Sequence, residues 1–243
     1  MELIHQKNIK IIPENCNENG KLKLPVLLDF LQTAAGEHAD ILHFGIKDLN
    51  KENDTWVLSR LRIEIEKWPA AGETIVLKTW PKGIDRLFAI RDFMVYDNDE
   101  NITIKAASYW LIVDRNTKRP KIPDDEFLKR EYPDISAIDK KIDKIPPLSK
   151  PEYSSQFVVT DNEIDINGHV NNVWYAHWIM ESIPQDVREK MDIACFEINY
   201  LSEVFAGENI TAETGKSTDD PSVMLGSIKK ENKDVCRVKI MTR

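Results

Sequence analysis

Asn17-Glu18-Asn19-Gly20-Lys21 and Asp165-Ile166-Asn167-Gly168-His169 are two versions of one stretch, and their repetition decides the fold. Both place a glycine fourth, where the chain can turn sharply. The register then runs on without a gap, LKLPVLLDFLQ from Leu22 lying over VNNVWYAHWIM from Val170. Each copy is preceded by a short apolar segment, IKII before the first and FVV before the second, that reads as a strand. An internal repeat of this size means one structural unit built twice.

Beyond the turn, the copies keep the same order of elements. An alternating strand follows the helix, SRLRIEIE from Ser59 in the first copy and ACFEINY from Ala194 in the second. A Gly-Glu step comes next, Gly72-Glu73 and Gly207-Glu208, and opens a further alternating strand, TIVLKTW and NITAETG. Both copies close with a hairpin around an acidic, Asn-containing turn, VYDNDEN and KKENKD. Period-two alternation predicts antiparallel strands with one buried face. Pro25 marks the start of a first helix running through PVLLDFLQTAAGEHADILHF, which is apolar at helical spacing. Asn171 or Asn172 caps a second helix, VWYAHWIMES, and Pro184 stops it. One apolar helix wrapped by an antiparallel sheet, twice over, is an α+β chain of two tandem hotdog units. The expected boundaries are 1–130 for the N-terminal hotdog, 131–150 for a linker and 151–243 for the C-terminal hotdog. The stretch from about Pro120 to Pro151 holds six prolines, Pro120, Pro123, Pro133, Pro146, Pro147 and Pro151, with weak periodicity, which is why it reads as a crossing segment.

The bulk numbers exclude several classes. At 243 residues the chain has room for one large or two small domains. A net charge of −8 argues against general affinity for nucleic acid or anionic membranes. The N-terminal MELIHQKNIKII has no long apolar run, so neither a signal peptide nor a transmembrane helix is expected. Cys16, Cys195 and Cys236 are far apart and show neither a disulfide framework nor zinc-ligand spacing, which fits reduced thiols in a cytoplasmic protein. Gly215-Lys216-Ser217 resembles the end of a phosphate loop, but Ile210 stands where that loop requires glycine. No cofactor and no metal are expected.

The chemistry is predicted in the second copy. Asp165, Asn167 and His169 cluster at the mouth of an apolar helix, where His169 should lie near unpaired backbone N–H groups able to hold an oxyanion. An imidazole is suited to moving a proton near neutral pH. In the first copy Asn17 replaces the acid and Lys21 the histidine, and counting back from the Gly-Glu step sets Trp68 against Glu203. The contrast predicts one chemical half, around Asp165, Asn167, His169 and Glu203, and one half devoted to something apolar. His177, on the second helix, and His38 and His43, near the first, read as packed or surface residues, and Glu181 as a helix-end carboxylate.

These residues resemble a known family. DINGHVNNVWYAHWIMES and INYLSEVFAGE in the second copy, with TWVLSRLRIEIEKWPAAGE, RLFAIRDF and ASYWLIVDRNTKRPKIP in the first, are similar to the acyl–acyl carrier protein thioesterases of plants and bacteria. The resemblance implies hydrolysis of fatty acyl–acyl carrier protein thioesters, with the family's functional Asp, Asn, His and Glu falling on Asp165, Asn167, His169 and Glu203. Some members carry a Cys after that Glu. Val204 stands there here, which implies attack by water, activated by Glu203 and oriented with His169, although either could be the base. The resemblance also implies that the N-terminal hotdog binds the acyl chain, with Leu27, Leu31, Trp56, Leu58 and Trp110 as candidate lining. Arg115, Lys118, Arg119 and Lys121 are candidates for docking an acidic carrier protein with its acylated phosphopantetheine, or else form a solvated loop. An acyl-CoA thioesterase, a non-catalytic acyl-binding hotdog protein and a hotdog hydratase or dehydratase are the rivals. A monomer or a homodimer fits, since a tandem chain already contains two units.

Overall fold

In a computed structural model, the structure describes residues 3–123 and 125–243. Met1 and Glu2, part of the stretch searched for a leader, and Asp124 lie outside them. The chain divides into two compact units, Met1–Ile142 and Asp143–Arg243.

The first unit runs β1 (His5–Lys10), α1 (Leu24–Ile41), α2 (Ile46–Lys51), β2 (Asp54–Ile65), β3 (Thr74–Asp85), β4 (Phe88–Tyr96), β5 (Ile102–Asp114), the two-residue β6 (Pro120–Lys121) and the short helix α3 (Asp125–Leu128). Its strands pair antiparallel in the order β1-β3-β4-β5-β2, with β6 on β5. The second unit runs β7 (Tyr153–Val158), α4 (Asn172–Ser182), α5 (Gln185–Arg188), β8 (Ile193–Tyr200), β9 (Asn209–Lys216), β10 (Val223–Lys230) and β11 (Lys233–Thr242). Its antiparallel order is β7-β9-β10-β11-β8. Replacing each strand by its repeat partner converts one order into the other. Each unit is a hotdog, and the chain is α+β.

In each unit the helix is held by the apolar face of its sheet. On α1, Leu24, Leu27, Leu28, Leu31, Ala34, Ala35 and His38 are buried, the spacing of one helical stripe. On α4 the buried set is Tyr175, Ala176, Trp178, Ile179 and Ser182. Gly226 on β10 permits a close approach of α4: a Cβ there would meet Ile179 Cδ1 at 3.0 Å and Thr214 Cγ2 at 3.2 Å. Fully burying a Leu or Ile side chain contributes about 1.5–3 kcal/mol. That apolar burial, more than helix propensity, fixes a helix of only eleven residues such as α4.

The proline-rich stretch read as a linker is irregular but packed along its length. Ala137, Ile138 and Ile142 join Trp80, Met94, Ala107 and Tyr109 in a cluster of the first unit. There the Ala137 N–H donates to buried Asp92 (2.7 Å), whose carboxylate also faces Lys82 at 3.3 Å. Burial raises the Asp92 pKa, against the opposing pull of these partners. Ile145 and Leu148 belong to the second unit, packed with Val223 and Leu225.

Candidate active site

The path into the site starts at β7, after which the chain makes one tight helical turn at Asp161–Glu163. Glu163 accepts the Thr160 N–H (2.6 Å) with one oxygen and the Trp178 indole N–H (3.3 Å) with the other, tying this turn to α4. A bridge between Ile164 and Val170 then closes the five-residue stretch 165–169. Across it the Asp165 N–H donates to the His169 carbonyl (2.8 Å) and the Gly168 N–H to the Asp165 carbonyl (3.0 Å). Gly168 has φ +80°, a left-handed conformation that glycine adopts without steric cost. Asp165 Oδ1 accepts the N–H groups of Asn167 (2.8 Å) and His169 (3.4 Å), and its Oδ2 accepts the Asn167 side-chain amide (3.3 Å).

The first unit builds the same turn from different side chains. Asn17 exchanges the matching bonds with Lys21 (2.8 Å) and Gly20 (2.9 Å), and Asn17 Oδ1 accepts the N–H groups of Asn19 (3.1 Å) and Lys21 (3.0 Å). Gly20 takes φ +71° and a bridge joins Cys16 to Leu22. A neutral amide therefore suffices for this fold. The charge on Asp165 and the imidazole on His169 are additions to a turn that forms without them.

Glu203 arrives from the connection after β8. The Val170 N–H donates to the Val204 carbonyl (3.0 Å), docking that connection on the residue that follows His169. Glu203 Oε2 consequently lies 3.4 Å from His169 Nε2, with the two side chains 39% and 25% exposed. Asp165, Asn167, His169 and Glu203 are thus brought together at one partly open surface. Phe205 meets the imidazole edge-on with ring centroids 5.1 Å apart. The sequence reading did not include Phe205; its signal was Ala70 at the matching place in the first copy. The Gly-Glu step has a structural role in both units. Glu208 accepts the Phe205 N–H (3.0 Å) and Glu73 the Ala70 N–H (3.0 Å). Burial acts to raise the Glu208 pKa, but the Phe205 N–H and Lys230 outweigh it and hold it below the ordinary value.

One expectation is corrected. His169 lies near the first turn of α4, which begins at Asn172, but the N–H groups beside it are not unpaired. The N–H groups of His169, Val170 and Asn171 donate to Asp165, Val204 and the Glu163 carbonyl (2.9 Å). Asn171 caps α4, its side chain accepting the Val173 N–H at 3.3 Å. The loop consumes the donors that the sequence suggested for an oxyanion, and leaves the second amide hydrogen of Asn167 as the candidate in their place.

Comparison with known proteins settles the lineage. Residues 2–130 match the model of the acyl-ACP thioesterase N-terminal domain, and residues 148–242 that of the acyl-ACP thioesterase C-terminal domain. The chain belongs to the acyl-ACP thioesterase family. An acyl-ACP thioesterase from Bacteroides thetaiotaomicron is 30% identical with a TM-score of 0.85, the match covering 99% of this chain and 98% of that one. The 12:0-ACP thioesterase from Umbellularia californica shares the fold at a TM-score of 0.91 and 23% identity, covering 100% of this chain and 98% of that one. Oleoyl-acyl carrier protein thioesterase 1 (chloroplastic) of Arabidopsis thaliana is 28% identical over 205 residues, which are 76% of this chain and 56% of that protein. The chain spans little more than half the length of the curated plant relatives it matches.

Within this acyl-ACP thioesterase fold, the candidate lining of the first unit divides into three groups. Leu27 and Leu31 are buried on α1. Leu58 on β2 is opposite Trp110 on β5, and the Trp110 indole donates to Ser108 Oγ (2.8 Å). Trp56 donates to the Phe44 carbonyl (2.8 Å) and stands edge-on to Phe127. The interior is not wholly apolar: Arg91 is paired with Ser108, contacts His38 Nδ1 (3.0 Å) and Thr79 Oγ1 (3.2 Å), and its pKa is pushed by burial down to about 10. His38 is accordingly a packed residue, whereas His43 is exposed.

The cationic run is less uniform than its sequence. Lys121 engages Asp54 at 2.7 Å and Arg115 donates to Asn50 Oδ1 at 2.6 Å. Lys118 and Arg119 lie exposed in the turn between β5 and β6. Glu181 pairs with Arg188 at 2.7 Å, as a helix-end carboxylate does, and His177 stacks edge-on against Trp174.

Proposed function

We propose that this chain hydrolyses the thioester of fatty acyl–acyl carrier protein, releasing a free fatty acid. The observation that carries the proposal is the 3.4 Å contact of His169 Nε2 with Glu203 Oε2, built beside a turn that the first unit makes with Asn17 and Lys21. Water attacks the thioester carbonyl carbon as the Glu203 carboxylate takes its proton, His169 fixing that carboxylate through Nε2. The carbonyl oxygen becomes an oxyanion and receives the remaining amide hydrogen of Asn167, which Asp165 Oδ2 holds in place. The tetrahedral intermediate collapses, the carbon–sulfur bond breaks, and the proton passes to the departing thiolate. No cysteine has a part. Burial, with Asp234 nearby, pushes the Cys236 thiol well up, and burial also raises that of Cys16.

The domain assignment that goes with this reading places the chemistry in residues 151–243 and the acyl chain in the helix–sheet interior of the first unit, between Leu27 and Leu31 on α1 and the strands carrying Leu58 and Trp110. Each methylene buried there contributes about 0.8 kcal/mol, so length selection needs such a compartment. Half-buried Arg91 would limit it, since an alkyl chain offers a cation nothing to replace its partners. Lys118 and Arg119 are the proposed contacts for an acidic carrier, and a cytoplasmic setting is proposed from the three reduced cysteines. Among the described residues no helix is long and apolar enough to cross a membrane.

The test offers purified protein a panel of acyl–acyl carrier protein and acyl-CoA thioesters and follows free-thiol release. Preferred turnover of the carrier-protein substrates, abolished in Glu203→Gln and His169→Ala variants that remain folded, is the expected result. Preference for coenzyme A moves the assignment to an acyl-CoA thioesterase. Binding without thiol release makes the protein a non-catalytic acyl binder.

A further inference from the structure

Arg91 on β4 carries its charge into the first unit without an acidic partner. Neighbouring residues of a strand face opposite sides of the sheet. Arg91 faces α1, where its Nη1 lies 3.0 Å from His38 Nδ1 and 3.2 Å from Thr79 Oγ1. Asp92 faces the other way, beside Lys82 and the Ala137 N–H. The carboxylate next in sequence therefore does not neutralise the guanidinium. A guanidinium only donates, so both hydrogens of Nη1 go to His38 and Thr79. Nε and Nη2 have no partner among the described residues. Those two nitrogens make the edge that takes a carboxylate through two parallel hydrogen bonds.

The Nη1 side is fixed. His38 and Thr79 are fully buried, and the Thr79 hydroxyl donates to the Asp92 carbonyl at 3.0 Å, which leaves its oxygen to accept from Arg91. The His38 ring stacks on His5 at a centroid distance of 5.7 Å, and His5 Nε2 lies 3.3 Å from Glu37 Oε2. Glu37 is itself engaged by Lys7 at 2.5 Å, a bond that lowers its pKa. The other side is reachable. Along this face Arg91 pairs with buried Ser108, and the next pair is Ala89 with Trp110, both only half-buried. Trp110 belongs to the proposed acyl compartment, so Arg91 lies one residue pair away from it. Burial pushes the Arg91 pKa down to about 10 although the side chain is only half-buried, as fits a cation set deep in the unit yet still open to a ligand.

The second unit supplies the control. Tyr153 pairs with Thr214 as His5 does with Thr79, and two residues onward Met224 faces Lys216 as Arg91 faces Pro81. The threonine recurs and the cation does not. Thr214 Oγ1 lies 3.4 Å from Ser182 Oγ instead. A hotdog sheet thus forms with an apolar residue at this place. Burying a cation without a counter-charge is costly, so its presence in the first unit alone points to an anion that arrives from outside.

We propose that Arg91, with His38 and Thr79 fixing its Nη1, is a subsite for a carboxylate carried on an alkyl chain. A plain alkyl chain offers the guanidinium nothing, whereas a chain ending in a carboxylate sets two oxygens against Nε and Nη2. Two ligands share that chemistry: the free fatty acid that the proposed reaction releases, and an acyl group bearing a second carboxyl at its far end. The inference rests on the placement of the acyl compartment in the first unit.

The test begins with titration calorimetry of the whole chain, using a free fatty acid and the methyl ester of the same acid. The acid should bind roughly 10- to 100-fold more tightly than the ester. Arg91→Met, which installs the residue of the second unit, should reduce that margin to within about twofold. Arg91→Lys keeps the charge without the fork and should retain only part of it. Equal affinity for acid and ester in the parent, or a margin that survives Arg91→Met, overturns the proposal. Where Arg91→Met does not fold, Arg91→Gln takes its place, and an undiminished margin there is equally fatal. Thiol release then separates the two sources, with carrier-protein thioesters of a plain acyl group and of its ω-carboxylated counterpart as substrates. Faster turnover of the ω-carboxylated substrate, lost in Arg91→Met, makes the ligand the far end of the substrate. Turnover of the plain substrate alone, with inhibition by free fatty acid that Arg91→Met relieves, makes it the product. A parent protein that binds fatty acid through Arg91 but releases no thiol from any thioester keeps the subsite and defeats the hydrolytic reading instead.

Discussion

Replacing Asp165 by Asn imports into the second unit the side chain that the first unit already uses at this place. The turn should survive. Asn17 Oδ1 accepts two backbone N–H groups at 3.1 and 3.0 Å, and the Asp165 bonds they correspond to are 2.8 and 3.4 Å. The carbonyl oxygen of the introduced amide can take over both, so the expected change in folding stability is within about 1 kcal/mol. The second oxygen has no such substitute. Oδ2 accepts the Asn167 amide at 3.3 Å, and the nitrogen of the introduced amide would face it donor to donor. A hydrogen bond to a charged group contributes about 1.5–3 kcal/mol. If that bond aims Asn167 at the thioester oxygen, its loss appears in the transition state at about 1.4 kcal/mol per tenfold in rate, or roughly 10- to 150-fold in kcat. Steady-state thiol release from acyl–acyl carrier protein, beside a thermal melt, measures both quantities. Turnover near that of the parent would reduce Asp165 to a turn residue. Unfolding of Asp165→Asn would show that the charge is required for the fold and that Asn17 is no guide to it. An Asp165→Asn, Asn167→Ala double variant no slower than Asn167→Ala alone is expected, because the two side chains act as one unit.

Three further outcomes follow from particular contacts. Replacing Cys16, Cys195 and Cys236 together by Ala should leave kcat within about twofold wherever the protein stays folded, because all three thiols are buried; specific inactivation through one thiol of native protein would instead restore a thiolate mechanism. Reversing Lys118 and Arg119 to Glu should raise KM for the carrier-protein substrate several-fold at low salt and less at high salt, whereas unchanged low-salt kinetics would make this turn a solvated loop. Truncating Leu31 to Ala in the first unit should destabilise the protein by about 2–5 kcal/mol and shift the released fatty acids toward longer chains, and a length profile that moves only with second-unit substitutions would refute the proposed division of labour.

What the sequence disclosed, and what it hid, follow from the range of the interactions involved. The turn, the two main helices and the presence of the strands were readable because each depends on near neighbours: Gly20 and Gly168 at left-handed φ, Asn171 capping α4, and alternation in the sequences of β2 and β8, although β8 is buried along nearly its whole length and not on one face alone. Comparison of the copies marked Asp165, His169 and Glu203 because each differs in chemical type from its counterpart. The fate of the backbone N–H groups was not readable in this way. Whether the N–H of Val170 is open to an oxyanion depends on the Val204 carbonyl, thirty-four residues onward, which bonds it at 3.0 Å. The same bond recurs in the first unit, where the Leu22 N–H donates to the Pro69 carbonyl at 2.8 Å, so it belongs to the fold. What distinguishes the second unit is the residue set before each end of it, His169 and Glu203 where the first unit has Lys21 and Trp68. An internal repeat thus identifies functional residues best when substitutions are compared as pairs across a shared backbone bond, since a pair that changes together there leaves the fold satisfied and alters only the chemistry beside it.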